Sequence, residues 1–231
     1  LPYEKKVAEA RMRIETVSIR SKDLAKVVNH YGQLLGLKIS EKAQSAEVKI
    51  GQSTLIFEHS EDAYPVHFAI MIPTGKFSQA RKWVLERTQL ISNENGDVFN
   101  FSDAWNSSSI YWYDEEGNIL ELIEHRNIPN QTPGDFSAED FLYICEIGIN
   151  VDNVLATAEM LKTNLDLDTF IFGNDRFHPV GTEDGLLILS KTGRNWFLTE
   201  VAGKAQPLKV VLSGEAIGEV VLEGPASIQA V

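Results

Sequence analysis

The sequence predicts an α+β protein assembled from repeated βαβββ units, two of them joined into a cupped sheet and followed by a partial third. Three observations lead there. A strand-then-helix segment from Thr16, TVSIRSKDLAKVVNHYGQLLGLKI, aligns without a gap on EIGINVDNVLATAEMLKTNLDLDT from Glu146, setting Ile19 on Ile149, Leu35 on Leu165 and Leu37 on Leu167. A looser copy, HFAIMIPTGKFSQARKWVLERTQLI, begins at His67. Each copy is followed by short β-rich runs broken at glycine turns. Repetition at this scale dictates architecture, because each unit carries an apolar sheet face that it cannot bury alone.

The elements follow in chain order. The opening LPYEKKVAEA is charged and reads as an arm or short helix. Residues 14–20 form a strand, and Asp23 is placed to cap the helix after it. Leu24, Val27, Val28, Tyr31, Leu34 and Leu35 keep one helical face apolar, and Gly36 ends it. Strands AEVKI (46–50) and STLIFEH (53–59) complete the first unit around Gly51. The second unit repeats the order: HFAIMI, then a helix carrying Phe77, Ala80, Trp83, Val84 and Leu90, then DVFNF, the loop SDAWNSSS and the hairpin IYWYDEEGNILELIEH. Asp114-Glu115-Glu116-Gly117 has turn chemistry, and its acidic pair reads as a solvated tip. Residues 126–140, RNIPNQTPGDFSAED, have linker composition. The third unit runs from 141 to about 200, its Thr182-Glu183-Asp184-Gly185 turn and LLILS matching the hairpin of unit two. LKVVLSG and GEVVLEG close the chain as a hairpin. The expected division is 13–125 as a paired domain, 126–140 as linker, and 141–231 as the third unit with its hairpin.

Two such units side by side curl into a cup, and units one and two are expected to make it. The third, without a complete fourth behind it, must pack on the cup, on the C-terminal hairpin or on another chain; a homodimer is the expectation. At 231 residues, 43% hydrophobic and 23% charged, the composition is that of a globular protein. A net charge of -12 speaks against nucleic acid or an anionic membrane surface. No run has the length of a membrane span and no leader pattern opens the chain. The single cysteine, Cys145, forbids an intrachain disulfide and reads as a buried strand residue; a reducing, cytoplasmic setting is expected.

Few residues in the cup carry chemistry. The equivalent position at the head of each unit holds Thr16, His67 or Glu146. Glu121 sits inside the apolar run ILELI, where a carboxylate is costly unless paired, protonated or bound to a cation. Imidazole and carboxylate on two strands of one cup suit a divalent metal such as Fe, Mn, Ni or Zn, although a hydrogen-bonded His and an ion-paired Glu would look the same in sequence. His30 and His178 read as packing residues, and His59 and His125 as surface. Asp103, Trp105, Tyr111 and Tyr113 either line the cup mouth or pack the sheet.

The βαβββ repeat, KDLAKVVNHYGQLLGLKI and YWYDEEGNILEL together resemble the vicinal oxygen chelate superfamily of glyoxalase I, bleomycin- and fosfomycin-resistance proteins and extradiol dioxygenases, and most of all its bacterial dioxygenase-like members. The hairpin is similar to the superfamily's Y-F-x-D-P-D-G-N-x-[IL]-E-L, with Glu115 where Pro is common. The resemblance covers 13–125 well and 141–200 more thinly. It implies metal ligands on the first and last strands of paired units, hence His67 and Glu121, with Thr16 standing where a further His, Gln or Glu is expected. It makes Glu58 and Glu121 the base candidates, with Thr16, Trp105, Tyr111 and Tyr113 against the substrate. Unit three has Leu189 opposite Glu121 and is expected to add no site. The implied function is metal-assisted lyase, isomerase or dioxygenase chemistry on a small oxygenated or aromatic molecule; the alternative is a metal-free binding protein of the bleomycin-resistance type, for which Thr16 speaks.

Overall fold

The computed structural model describes residues 12–101, 105–214, 217–222 and 226–231. The opening arm and Asp103 lie outside the described residues. Unit one begins with β1 (Arg13–Ser21), and Asp23 caps α1 (Leu24–Val27) by accepting from the Ala25 N–H at 3.0 Å. The helix continues as a π-helical turn over Val28–Leu34, where the Leu35 N–H reaches back to the His30 carbonyl. Both His30 and Tyr31 are buried along this widened turn. Trp112 Nε1 donates to His30 at 3.3 Å, and the Tyr31 hydroxyl donates to Asp114 at 2.7 Å. Gly36, at φ 71°, then turns the chain out. Strands β2 (Lys38–Lys42), β3 (Ser45–Ile50) and β4 (Ser53–His59) complete the unit; β2 has no apolar alternation to betray it in sequence.

Unit two comprises β5 (His67–Met71), α2 (Phe77–Leu85), β6 (Phe99–Phe101), β7 (Ser107–Tyr113) and β8 (Ile119–His125). Unit three comprises β9 (Tyr143–Val151), α3 (Val154–Leu165), β10 (Phe177–Thr182) and β11 (Gly185–Lys191). The C-terminal strands are β12 (Leu208–Ser213), β13 (Gly218–Val221) and β14 (Ala226–Ala230).

These strands make two seven-stranded sheets, and their pairing corrects the expected partnership of units one and two. One sheet runs β10-β11-β9-β5-β8-β7-β6, so the cup joins unit two to unit three across β5 and β9. The other runs β13-β14-β12-β1-β4-β3-β2, so unit one takes the C-terminal strands as its partner. The reason lies in those last strands. β12 is parallel to β14, which is antiparallel to β13, as β1 is parallel to β4 and β4 antiparallel to β3. They form a reduced fourth unit without a helix, and the hairpin is β13–β14 rather than β12–β13. The third unit therefore has a partner within the chain, which removes the argument that led to a homodimer.

The sheets are fastened together. Ser53 Oγ donates to the Ile14 carbonyl at 2.6 Å and accepts from the Ile144 N–H at 2.9 Å, linking β1, β4 and β9. At the tip of the β7–β8 hairpin Glu115 is exposed as expected, but Glu116 is not simply solvated: its Oε2 takes the N–H groups of Lys22 (2.7 Å) and Asp23 (3.2 Å), where a carboxylate complements the start of α1. The 126–140 segment is pinned too. Phe136 packs edge-on to Trp83, and buried Lys76 pairs with Asp140 at 2.8 Å. Among the described residues no helix is long and apolar enough to cross a membrane.

Candidate active site

Strand register assembles the site. On the joined sheet Ala69 of β5 lies between Glu121 of β8 and Glu146 of β9, so both carboxylates share its face. Residues two apart along a strand also share a face, which brings His67 to the same side and into the next row. Ala69 is small, and its methyl leaves the gap into which the three longer side chains reach. One donor atom each from His67, Glu121 and Glu146 lie within 4.8 Å of one another. Both glutamates are buried, 3% and 5% exposed.

The polar atoms here are not mutually satisfied. His67 Nδ1 sits 3.2 Å from the Ile119 carbonyl, which can only accept, so the ring proton belongs on Nδ1. The lone pair of Nε2 then faces Glu121 Oε2 at 3.4 Å, an arrangement that needs a proton or a cation between the two atoms. Glu146 Oε1 is buried without a hydrogen-bond partner. Its carboxyl is pushed well above the usual carboxylate range, first by burial and then by the charge of Glu121. Tyr111 lies opposite Glu121 on β7, where burial foremost, then the charges of Glu121 and Glu146, hold its phenol protonated. An imidazole oriented through a backbone carbonyl, beside two carboxylates with an orphaned oxygen, is a donor set that fits a divalent cation. Donors about 2.1 Å from one ion lie no more than about 4.2 Å apart, so closing by about half an ångström would complete the set.

The three residues line a cavity of about 450 Å3, within the size range of small-molecule sites. Its walls are aromatic. Trp196 lies over Gly148, whose Cβ, if present, would stand 2.5 Å from the indole, and its ring centroid is 5.8 Å from that of His67. Phe197 packs edge-on against Phe99 and Tyr111, carrying the 192–203 loop from unit three onto unit two. Trp105 stacks on His125 and meets Phe170 edge-on at 5.1 Å.

His67, Glu121, Tyr111 and Trp105 come together here. Thr16 does not: it lies on the other sheet, between Thr54 of β4 and Val211 of β12. Glu58 is exposed near the end of β4 on that sheet, and Ile56 holds the place corresponding to Glu121. Tyr113 is 40% exposed and outside the cavity lining. Glu146 is the residue whose part in the site sequence reasoning missed, although its head position singled it out. The place corresponding to Glu121 in unit three is Ile188, not Leu189, since Glu146 pairs with Leu186 and Ile188 follows two residues on. His125, read as surface, is fully buried because it continues the Glu121–Ile123 face; its Nδ1 is 3.0 Å from the Trp105 carbonyl and its Nε2 has no partner.

No protein-family model matches the sequence, and no functionally curated protein does. Solved structures do. A candidate dioxygenase from Bacillus subtilis superposes with a TM-score of 0.61 at 12% identity, covering 96% of this chain and 86% of that one. A variant of glyoxalase I from Zea mays gives 0.58 at 13%, covering 95% and 92%, and glyoxalase I from the same plant 0.53 at 15%, covering 90% and 76%. The likeness at these identities is one of fold: the chain has the fold of the vicinal oxygen chelate superfamily, as the repeat and the hairpin motif imply.

Proposed function

We propose that the chain is a metal-dependent enzyme of lyase, isomerase or dioxygenase type, acting on a small oxygenated or aromatic molecule in the cavity between units two and three. One observation carries the reading. The half-buried His67 Nε2, a Glu121 oxygen 3.4 Å from it and a Glu146 carboxylate with an orphaned Oε1 come within 4.8 Å of one another in an aromatic-walled cavity. The metal-free alternative drew its support from Thr16, which stands on the other sheet.

His67, Glu121 and Glu146 would hold the ion, whose chemistry is that of a Lewis acid polarising two adjacent oxygens of a substrate. The chain's own residues do the rest. The Ile119 carbonyl keeps the His67 lone pair aimed at the site. Tyr111 stays protonated and can offer its hydroxyl proton to a neighbouring substrate oxygen as negative charge develops there. Trp196 and Phe197 wall the site with apolar rings, which lowers the local dielectric and strengthens each of these interactions.

The test is reconstitution of the full chain, under argon, with Fe(II), Mn(II), Ni(II) or Zn(II), followed by elemental analysis and assays of oxygen uptake and substrate loss. One ion per chain is expected, lost in His67→Ala and Glu121→Gln. A parent protein that retains no metal above background would overturn the proposal.

A further inference from the structure

The cavity has a charged group at its rim that the chemistry above leaves unused. Arg194, in the loop after β11, lines the cavity and is the one Lys or Arg among the described residues to do so. Its guanidinium lies over the Phe177 ring at 5.2 Å. Its polar contacts are weak: Nη1 lies 3.5 Å from Ser190 Oγ and 3.5 Å from the Asn195 carbonyl, at the outer limit of hydrogen bonding. Among the described residues no carboxylate pairs with it. Burial first, and then the like charge of Arg176, act against its charged form. A half-buried guanidinium with no carboxylate partner among the described residues leaves an unpaired positive locus in the cavity wall.

From this geometry we infer that the cavity takes a small aromatic molecule bearing a negatively charged group such as a carboxylate, received by Arg194, with its ring against the aromatic walls and its adjacent oxygens toward His67, Glu121 and Glu146. The inference rests on the reading of the cavity as a substrate site and names the substrate class. Charge dictates the direction of binding. The glutamates repel an anion, and at a net charge of -12 the molecule as a whole repels it too. A carboxylate therefore enters only where a local cation receives it, and a guanidinium does so with two parallel hydrogen bonds. The ring follows from the walls: Phe101, Phe177 and Phe197 offer only faces and edges, and Tyr111 and Trp196 add aromatic rings with one donor each.

The probes are 3,4-dihydroxybenzoate and its uncharged counterpart 3,4-dihydroxybenzamide, titrated into the full chain by tryptophan fluorescence and calorimetry, with and without Mn(II). The acid is expected to bind at least about tenfold more tightly than the amide, about 1.4 kcal/mol. Arg194→Gln should abolish that preference, and Arg194→Lys should keep part of it. Equal binding of acid and amide by the parent, binding of neither, or a preference that survives Arg194→Gln overturns the inference. The metal reading fails separately. A charge preference in protein that takes up no Mn(II) sinks the metal site alone; Mn(II) uptake without a charge preference sinks the Arg194 assignment alone.

Discussion

Replacing Glu146 with glutamine should move stability in opposite directions with and without metal. In the metal-free protein Glu146 lies beside Glu121 in a buried site, and its carboxyl is pushed well above the usual range by burial and then by that neighbour's charge. Unfolded, it titrates at about 4.3. Between these two values the folded state binds more protons than the unfolded one, so stability is whole at low pH and is lost as pH rises through the folded value. The loss is about 1.4 kcal/mol per pH unit crossed. Glutamine has nearly the same shape and does not titrate. Metal-free Glu146→Gln should therefore gain on the parent by roughly 3–5 °C in Tm for each unit of that window, at about 2–4 °C per kcal/mol for a chain of this size. With metal the sign reverses. The parent at about 100 times Kd gains about 2.7 kcal/mol, or roughly 5–10 °C. Loss of one donor of three that weakens affinity about a hundredfold leaves the variant near its Kd, with a gain of about 0.4 kcal/mol. Scanning calorimetry of both proteins between pH 5 and 8, with and without Mn(II), reads all four quantities. A variant less stable than the parent at pH 8 without metal, or one that keeps the full metal-induced shift, refutes the reasoning.

Three further outcomes follow from the same structure. Gly148→Ala would set a methyl 2.5 Å from the Trp196 indole and 3.2 Å from the His67 carbonyl; a cost of about 1–3 kcal/mol, red-shifted tryptophan emission and weakened Mn(II) uptake are expected, and unchanged emission would show that the ring does not seal the site. Asp140→Asn leaves buried Lys76 without its counter-charge and should cost about 3–5 kcal/mol in urea unfolding at pH 7. Burial alone would raise the Asp140 carboxyl, but Lys76, the Ser137 N–H and Thr132 hold it below its ordinary value; its contribution is whole above about pH 4 and fades as pH falls through the lowered value, so the gap between parent and variant should narrow at pH 3. Glu58→Gln, on the exposed end of β4, should alter neither metal uptake nor turnover; a loss of activity there would place the chemistry on the other sheet.

The features legible in the sequence are those set by neighbours along the chain. The gapless match of Ile19 to Ile149 and Leu35 to Leu165 reflects two helices packed on two strands in the same way, and Asp23 and Gly36 mark where the first helix starts and stops. His67 and Glu121 stood out because a polar side chain in an apolar strand must answer to something. Pairing between units left no such mark. β1 and β9 offer similar apolar edges to β5, and the choice falls to whichever strand the rest of the chain delivers; the evident clue, that β12–β14 repeat a unit's first and last strands, was obscured by the absent helix. That pairing set Glu146 beside Glu121, and register adds a smaller difference in unit three. Counting from the turn glycines equates Glu121 with Leu189, but Asn118 bonds back to Asp114 and lengthens the unit-two hairpin by a residue, so the match is Ile188, and a shift of one position exchanges the two faces of a strand. Once the pairing is known, four first strands form two pairs, β5 with β9 and β1 with β12. The first pair carries His67 and Glu146 with Glu121 beside them; the second carries Thr16 with Thr54 and Val211, none of which can hold a cation against water or move a proton at neutral pH. Of the ligand set that the sequence suggested, Thr16 alone thus belongs to the pair that buttresses the molecule, and His67 and Glu121 meet Glu146 to give one imidazole and two carboxylates on a single face.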